Sequence, residues 1–378
     1  MRVNVLLLLI WVAKLNLTTC SLSGTKPQLR QFKGTSSLIH SPLDTSLRIL
    51  QFNILADGLS GLRSDLGAFS RATAQTMSWD MRKYQLLHEI LQYKPDCITL
   101  QECDHFYDFF LAKLSMYGYD GVYAPKPASA CLEVSDNSDG CAIFVKRDKL
   151  RIVSSETITY ALSKKEVDDG ISDMVRAMNQ VGLIVTCDIL DENGDVRVTG
   201  DYGTRCPLVV CTTHLKAKKS EVGERYRLEE ARQLMRGINR TMKSLEAYTQ
   251  PLLVLTGDLN AAPHSLTTGY EAHAYQAVKE HALGLRSLLN DDMGLPEDET
   301  WTTWKARWKK GEEKIAKNCI DYILYQPPSP GKGLGLQPIA LLELLREEDL
   351  GKDLLPNAQY PSDHVALAAD FTITTSQV

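Results

Sequence analysis

Short apolar runs punctuate this chain from Leu47 almost to its end, and their regular recurrence is what restricts its fold most. They are Leu47 to Phe52, Cys97 to Leu100, Cys141 to Val145, Gly182 to Val185, Leu208 to Thr212, Leu252 to Leu255, Cys319 to Leu324 and Val365 to Phe371. Each is too short for a helix and nearly continuous in apolar character, as a strand buried on both faces requires. Between them, Trp79 to Tyr93 carries apolar residues at helical spacing ahead of Pro95, and Glu221 to Leu245 is long, charged and amphipathic. Strands and helices thus alternate without a linker or internal repeat, which predicts one α/β domain over residues 47–373 and a tail at 374–378.

Several runs end on polar residues. In LLVLTGDLNAAP, Leu252 to Leu255 reads as a buried strand and Gly257 as the point where the backbone turns, leaving Asp258 and Asn260 at the strand's mouth. A carboxylate and an amide there can align a water and hold a phosphate oxygen, whereas inside the strand they would carry an uncompensated desolvation cost. One such tripeptide alone reads more readily as a cap for the following turn. Repetition changes that balance: Leu47 to Phe52 ends in Asn53, Cys97 to Leu100 runs into Gln101-Glu102, and Leu208 to Thr213 ends in His214. Asp321 lies within CIDYILY, and Asp363-His364 precedes VALAADF. Ligands of α/β sheets bind at strand ends, so these positions predict one cleft lined by Asn53, Glu102, His214, Asp258, Asn260, Asp321, Asp363 and His364.

Such a set supports hydrolysis of a phosphate ester. A hard cation such as Mg²⁺ needs one or two carboxylates and keeps most of its waters, which Glu102 with help from Asn53 satisfies. No P-loop lysine motif is present, so attack by water is the economical mechanism. An Asp beside an Asn orients that water, and a histidine paired with a carboxylate stabilises charge as the leaving oxygen departs. The net charge of −5 argues against a protein built mainly to grip long nucleic acid and makes any polyanion site local.

Residues 1–46 read as a targeting segment and flexible linker. No acidic residue occurs from Met1 to Leu43, while Arg2, Lys14, Lys26, Arg30 and Lys33 are basic and Ser and Thr are frequent, which suits a mitochondrial presequence. A lone Arg before the apolar block Val3 to Ala13 suits secretion instead, with Asn239-Arg240-Thr241 then a glycosylation acceptor. That block is too short to cross a bilayer comfortably, so stable membrane insertion is not expected. The nine cysteines, an odd number without C-x-x-C spacing, read as small buried residues rather than a disulfide framework or zinc site. Asp191-Glu192-Asn193-Gly194-Asp195 is expected to be a hairpin turn, since no Glu closes a calcium loop. Trp301, Trp304 and Trp308 are expected to pack rather than stack on bases.

Taken in order, LRILQFNILA, DCITLQECDHF, DGCAIF, VVCTTHLKAK, LTGDLNAAP, CIDYILY and YPSDHVALAADF resemble the motifs of the endonuclease/exonuclease/phosphatase superfamily. YAPKPASACLEV, HLKAK and TTWKARW narrow the resemblance to one subgroup of its deadenylase-like branch. The resemblance implies a two-layer β-sandwich flanked by helices, with a Mg²⁺-dependent site at the sheet edge. It implies that Glu102 is the metal ligand with Asn53 beside it, Asp258 the water-orienting carboxylate, and Asn260 the phosphate-binding amide. His214 becomes a second phosphate contact, Asp321 orients His364, and Asp363 lies near the metal. It further implies removal of the 2′-phosphate from NADP⁺ and NADPH, in mitochondria as well as cytosol. Lys126, Lys216, Lys218, Lys305 and Arg307 neighbour these motifs and supply the compact cationic cluster that a dinucleotide with three phosphates needs. Lys218 stands where an arginine is usual, Cys103 where an aliphatic residue is common, and the hairpin near Asn193 is longer. The rival expectations are a 3′ poly(A) exoribonuclease of the same fold, acting on RNA, and a catalytically silent scaffold for mRNA-decay partners.

Overall fold

Two mixed β-sheets face each other, each built around a central parallel pair of strands. The computed structural model describes residues 30–34, 46–60, 68–161, 178–199, 203–247, 249–263, 269–292, 300–329 and 333–375. The apolar block Val3 to Ala13 and residues 376–378 of the expected tail lie outside the described residues, while Thr374 and Thr375, read as the start of that tail, instead continue the last strand, Leu367–Thr375.

The first half of the chain supplies β1 (Phe32–Gly34), β2 (Ser46–Asn53), β3 (Cys97–Gln101), β4 (Tyr119–Pro125) and β5 (Gly140–Lys146). Next come β6 (Leu150–Thr159), β7 (Val181–Ile189), a small ladder of β8 (Val198–Thr199) and β9 (Thr204–Arg205), and β10 (Leu208–His214). The remainder are β11 (Leu252–Asp258), β12 (Arg286–Ser287), β13 (Thr303–Lys309), β14 (Glu312–Asn318), β15 (Asp321–Tyr325), β16 (Leu334–Leu342) and β17 (Leu367–Thr375). One sheet runs β1-β16-β17-β2-β3-β5-β4 and the other β12-β15-β11-β10-β7-β6, while β13 and β14 form a separate hairpin.

Every apolar run named above contributes to a strand, and the alternation along each strand explains the layering. Leu47, Ile49 and Cys97 join one large buried cluster with Leu208 to Cys211 and Leu252 to Leu255 of the facing sheet, whose residues alternate between the two faces of that sheet. Leu50, Phe52, Ile98 and Leu100 point the other way, under the helix α1 (Trp79–Leu91), whose Leu86, Leu87 and Ile90 cover them. The helix α2 (Glu221–Glu246) covers the second sheet with Leu234 and Ile238. Its start is the one its sequence predicts: the Ser220 hydroxyl accepts from Gly223 N, and Glu221 and Glu224 lie in the first turn.

Toward one edge the inter-sheet layer turns polar. Gln51 Nε2 donates to Gln101 Oε1 at 2.6 Å, Gln101 Nε2 to Thr212 Oγ1 at 2.8 Å, and Thr256 Oγ1 to Thr99 Oγ1 at 2.8 Å. These bonds pair the buried amides and hydroxyls with one another and limit the cost of polar burial, with Gln51 Oε1 left without a partner among the described residues.

Three differences from the sequence reading stand out. Gly257 lies inside β11 rather than at a turn; it has φ +150°, and a Cβ there would stand 2.3 Å from the Thr213 carbonyl oxygen, so glycine lets β10 come close. The segment read as leader and linker contributes β1, which pairs with β16, and Arg30 is buried with an ion pair to Glu89 at 2.6 Å. Trp301 packs as expected and meets Trp304 edge to face, but Trp308 is half exposed. The Asp191 loop is a turn as expected: Asp191 Oδ1 accepts from Asn193 N and Asp195 N. All eight described cysteines are free and buried, and no described helix is long and apolar enough to cross a membrane.

Candidate functional site

The parallel pairs bring their C-terminal ends to the same edge. Asn53 pairs with Gln101 across β2 and β3, His214 with Asp258 across β10 and β11, and Asp258 with Asp321 across β11 and β15. Glu102 and Asn260, just past two of these ends, have φ of +56° and +49°, left-handed conformations that a non-glycine residue holds only when its surroundings fix it. The strain redirects each chain out of its strand while aiming the side chain back at the edge.

Asp258 is the hub. Its Oδ1 accepts from Asn260 N at 2.9 Å and its Oδ2 from Asn53 Nδ2 at 3.0 Å. His214 Nε2 and His364 Nε2 lie 3.6 and 3.8 Å from that same Oδ2. Asn53 Nδ2 also donates to Glu102 Oε1 at 3.2 Å, and Glu102 Oε2 accepts from Ala56 N at 3.1 Å. On the far side, His364 Nδ1 donates to Asp321 Oδ2 at 2.8 Å. All eight residues expected in the cleft therefore converge, Asp363 through its bond with Lys305 at 2.5 Å.

The electrostatics follow from these contacts. Burial, then the neighbouring Asp321, raises the Asp258 carboxyl to about 6. Burial and the nearby Lys305 oppose charge on His364, but Asp321 first, then Asp258 and Asp363, outweigh them and lift that histidine to about 9, so it is an imidazolium at neutral pH. Burial pulls His214 well below its ordinary value, reinforced first by Lys126. Lys126 Nζ is 3.5 Å from His214 Nδ1, and because an ammonium only donates, Nδ1 is the acceptor and the ring proton sits on Nε2, facing Asp258. Burial would raise Asp363, but Lys305, His364 and Arg307 together hold it well below the usual carboxylate range.

The cations fall into two groups around this hub. Lys126 is buried and ion-paired with Asp139 at 2.6 Å. Lys305 lies 3.4 Å from His364 Nε2, and Arg307 lies 3.7 Å from Asp363 while stacking on Phe69. Lys216 is half-buried on the segment after β10. Lys218 on that segment is exposed, and what the fold holds there is its backbone carbonyl, which accepts from Arg227.

Sequence reasoning passed over several supporting residues. Thr302 Oγ1 donates to Asp321 Oδ2 at 2.6 Å, fixing the carboxylate that holds His364. Ser362 Oγ donates to Asn53 O at 2.7 Å, and buried Arg82 donates to Ile54 O and Pro361 O, both at 2.8 Å, joining the loops on either side of the cleft. Thr302 belongs to the TTWKARW motif, but nothing local distinguishes it from a surface threonine. Asp139 opens DGCAIF and was legible only as part of that motif.

The donor set fits a hard divalent cation. Glu102 and Asp363 supply oxygens, and buried Asp363 Oδ1 has no hydrogen-bond partner among the described residues. Asp258, Asp321 and His364 also bring ligand atoms within 4.8 Å of one another. That triad suits proton handling better: Asp321 Oδ2 already serves Thr302 and His364, and an imidazolium has no lone pair to offer a metal.

Fold and site together are those of a two-sheet hydrolase family, and the chain belongs to the endonuclease/exonuclease/phosphatase family, whose model matches residues 50–364. Within that family it is nocturnin-like. It is 31% identical over 338 residues to nocturnin of Mus musculus, covering 88% of this chain and 66% of that protein, just under two thirds of its length. Carbon catabolite repressor protein 4 homolog 1 of Arabidopsis thaliana is 28% identical, over 85% of this chain and 57% of that protein. The solved human nocturnin catalytic domain with bound sulfate anion has a TM-score of 0.63 at 29% identity, covering 93% of this chain and 100% of that one. Enzymes of this family are generally dependent on a divalent metal.

Proposed function

We propose that this site removes the 2′-phosphate of NADP⁺ and NADPH, giving NAD⁺ and NADH, with Mg²⁺ as cofactor. The observation that carries the reading is the pair of lysines set against the two histidines that flank Asp258: Lys126 at 3.5 Å from His214 and Lys305 at 3.4 Å from His364. Cations gathered on both sides of one carboxylate suit a compact, multiply phosphorylated ligand better than an extended strand, whose phosphates are spaced along a groove. The human nocturnin domain's bound sulfate, a phosphate-like anion, agrees with this.

In this reading Glu102, with Asn53 and Asp363 nearby, holds the metal, which neutralises charge on the phosphoryl oxygens. Asp258, mostly ionised at pH 7, accepts a proton from the attacking water. His214, through Nε2–H, and the Asn260 amide hold the phosphoryl group. As the water oxygen bonds to phosphorus, the bond to the ribose 2′-oxygen breaks, and the His364 imidazolium held by Asp321 stabilises and protonates that oxygen. Lys216, Lys218, Lys305 and Arg307 grip the remaining phosphates. The leader's address in this reading is the mitochondrion, checked by import of the tagged full chain; a glycosylated product would contradict it.

The test of substrate is phosphate release by the full-length chain with Mg²⁺, offered NADPH and oligo(A) RNA in the same salt, with Glu102→Ala as blank. Release from NADPH with intact RNA supports the proposal. Shortened RNA with untouched NADPH would favour the activity printed in the name of a more distant relative, the CCR4-Not complex 3′-5′-exoribonuclease subunit Ccr4 of Debaryomyces hansenii, 25% identical to this chain.

A further inference from the structure

The segment that leaves β10 carries Lys216 and Lys218, and it is held by buried groups that the chemistry above does not use. Glu230 of α2 has no exposed surface; its Oε2 accepts the Lys216 backbone N–H at 2.8 Å, and its Oε1 has no hydrogen-bond partner among the described residues. Arg227, equally buried, donates through Nη1 to the carbonyls of Lys216 and Lys218, both at 2.8 Å. Its Nε donates to Glu224 Oε2 at 2.8 Å and its Nη2 to the Tyr270 hydroxyl at 2.9 Å. Glu224 Oε1 in turn accepts from His273 N and Ala274 N, both at 2.7 Å.

Helix and segment also touch backbone to backbone. A Cβ on Gly223 would stand 1.9 Å from the Lys218 carbonyl oxygen. From the opposite side, Leu215 N donates to Asp258 O at 2.9 Å and Asn260 Nδ2 to Leu215 O at 3.0 Å. The lysine-bearing segment is therefore tied to α2 on one side and to the strand of Asp258 on the other.

A buried carboxyl with one unused oxygen is costly, and an apolar side chain would fill that place with less desolvation. What Glu230 adds is an acceptor for one particular backbone N–H. Burial pushes its carboxyl up to about 8, so near neutral pH it holds that N–H without adding a full buried charge.

We infer that Glu230 and Arg227 are positioning residues for substrate specificity: they hold Lys216 and Lys218 at the distance from Asp258 that a substrate with phosphates beyond the scissile one requires. The inference rests on the phosphatase reading. A small phosphate monoester has no remote phosphate and is indifferent to where the lysines stand, so the clamp contributes to affinity for the dinucleotide alone.

The experiment is steady-state hydrolysis of NADPH and of p-nitrophenyl phosphate by the full-length Mg²⁺ enzyme. Glu230→Leu, which removes the acceptor, raises the KM for NADPH by ~10-fold while kcat/KM for the small ester stays within ~2-fold. Glu230→Gln keeps an acceptor oxygen and restores the NADPH value. Gly223→Ala pushes on the Lys218 carbonyl without changing the Glu230 or Arg227 side chain, and gives the same split should Glu230→Leu not fold. Adding Lys216→Ala to Glu230→Leu costs less than the sum of the single changes, because Glu230 acts through that lysine. Equal losses on both substrates, or strict additivity with Lys216→Ala, would overturn the inference while leaving the phosphatase reading intact. A wild-type enzyme that leaves NADPH untouched would overturn both.

Discussion

His214 and His364 stand on opposite sides of Asp258, 3.6 and 3.8 Å from the same oxygen, and both are buried, yet their hold on a proton is moved in opposite directions. Burial alone disfavours the charged form of each. Each has a lysine beside it, Lys126 for His214 and Lys305 for His364, and what separates them is the Asp321 carboxylate on the other ring nitrogen of His364. The site thus holds one neutral donor and one imidazolium around a single carboxylate. Proton affinity here is assigned by partner rather than by depth.

The sharpest way to break that arrangement is to remove the shared partner. Asp258→Asn is expected to lower kcat for NADPH by ~10³-fold, since it removes the group that accepts the water's proton. Asp321→Asn separates the two histidines more selectively, with a loss of ~10²-fold in kcat from weaker charge stabilisation. The pH profile supplies its second readout. In the wild type kcat/KM rises through about 6 as Asp258 ionises and falls through about 9 as His364 loses its proton. In Asp321→Asn the alkaline limb moves down toward neutrality, and an unmoved limb would show that His364 is not charged by Asp321.

Lys126→Met tests the other side. Its expected cost is ~10-fold in kcat/KM, with His214 titrating at a higher pH than in the wild type yet still below an ordinary histidine, because burial remains. The smallest effect on turnover is expected from Thr302→Val, which removes the hydroxyl that donates to Asp321 and accepts from the backbone N–H groups of Ile320 and Asp321. Stability should fall by about 2–4 kcal/mol, read as a drop of several degrees in Tm, because two buried N–H donors lose their acceptor. The linkage has a definite sign: the folded chain holds the His364 proton more tightly than the unfolded one. That stabilisation is complete below ~pH 6.5 and is lost as pH rises through about 9, so the wild type and Asp321→Asn should converge in stability on the alkaline side.

The two sides of the cleft were not equally legible. Strands β10 and β11 announce themselves because both faces are buried and their polar ends are short punctuation after long apolar runs. The His364 side depends on β13 and β14, whose sequences TWKARWK and EEKIAKN are charged and largely solvent-facing, and so carry no strand signal. Strand β6 was hidden for the same reason, having one exposed edge and the polar sequence LRIVSSETIT. Strand β1 could not be read because its basic, acid-poor surroundings match a leader, and only tertiary contact shows Arg30 meeting Glu89, Glu343 and Ala366. Gln51 and Thr302 became visible only in the folded chain, since each bonds a residue from another strand or loop. The sign of each histidine's shift was equally out of reach, because Lys126 and Asp321 come from distant parts of the chain.

The contrast between the histidines is measured most directly by ¹⁵N NMR titration of histidine-labelled, metal-free full-length protein, with His214→Asn and His364→Asn assigning the two rings. The expected result is one ring that remains an imidazolium until about pH 9 and one that stays neutral, protonated on Nε2, well below pH 6.5. Two rings titrating together near ~6.5, the ordinary histidine value, would contradict it.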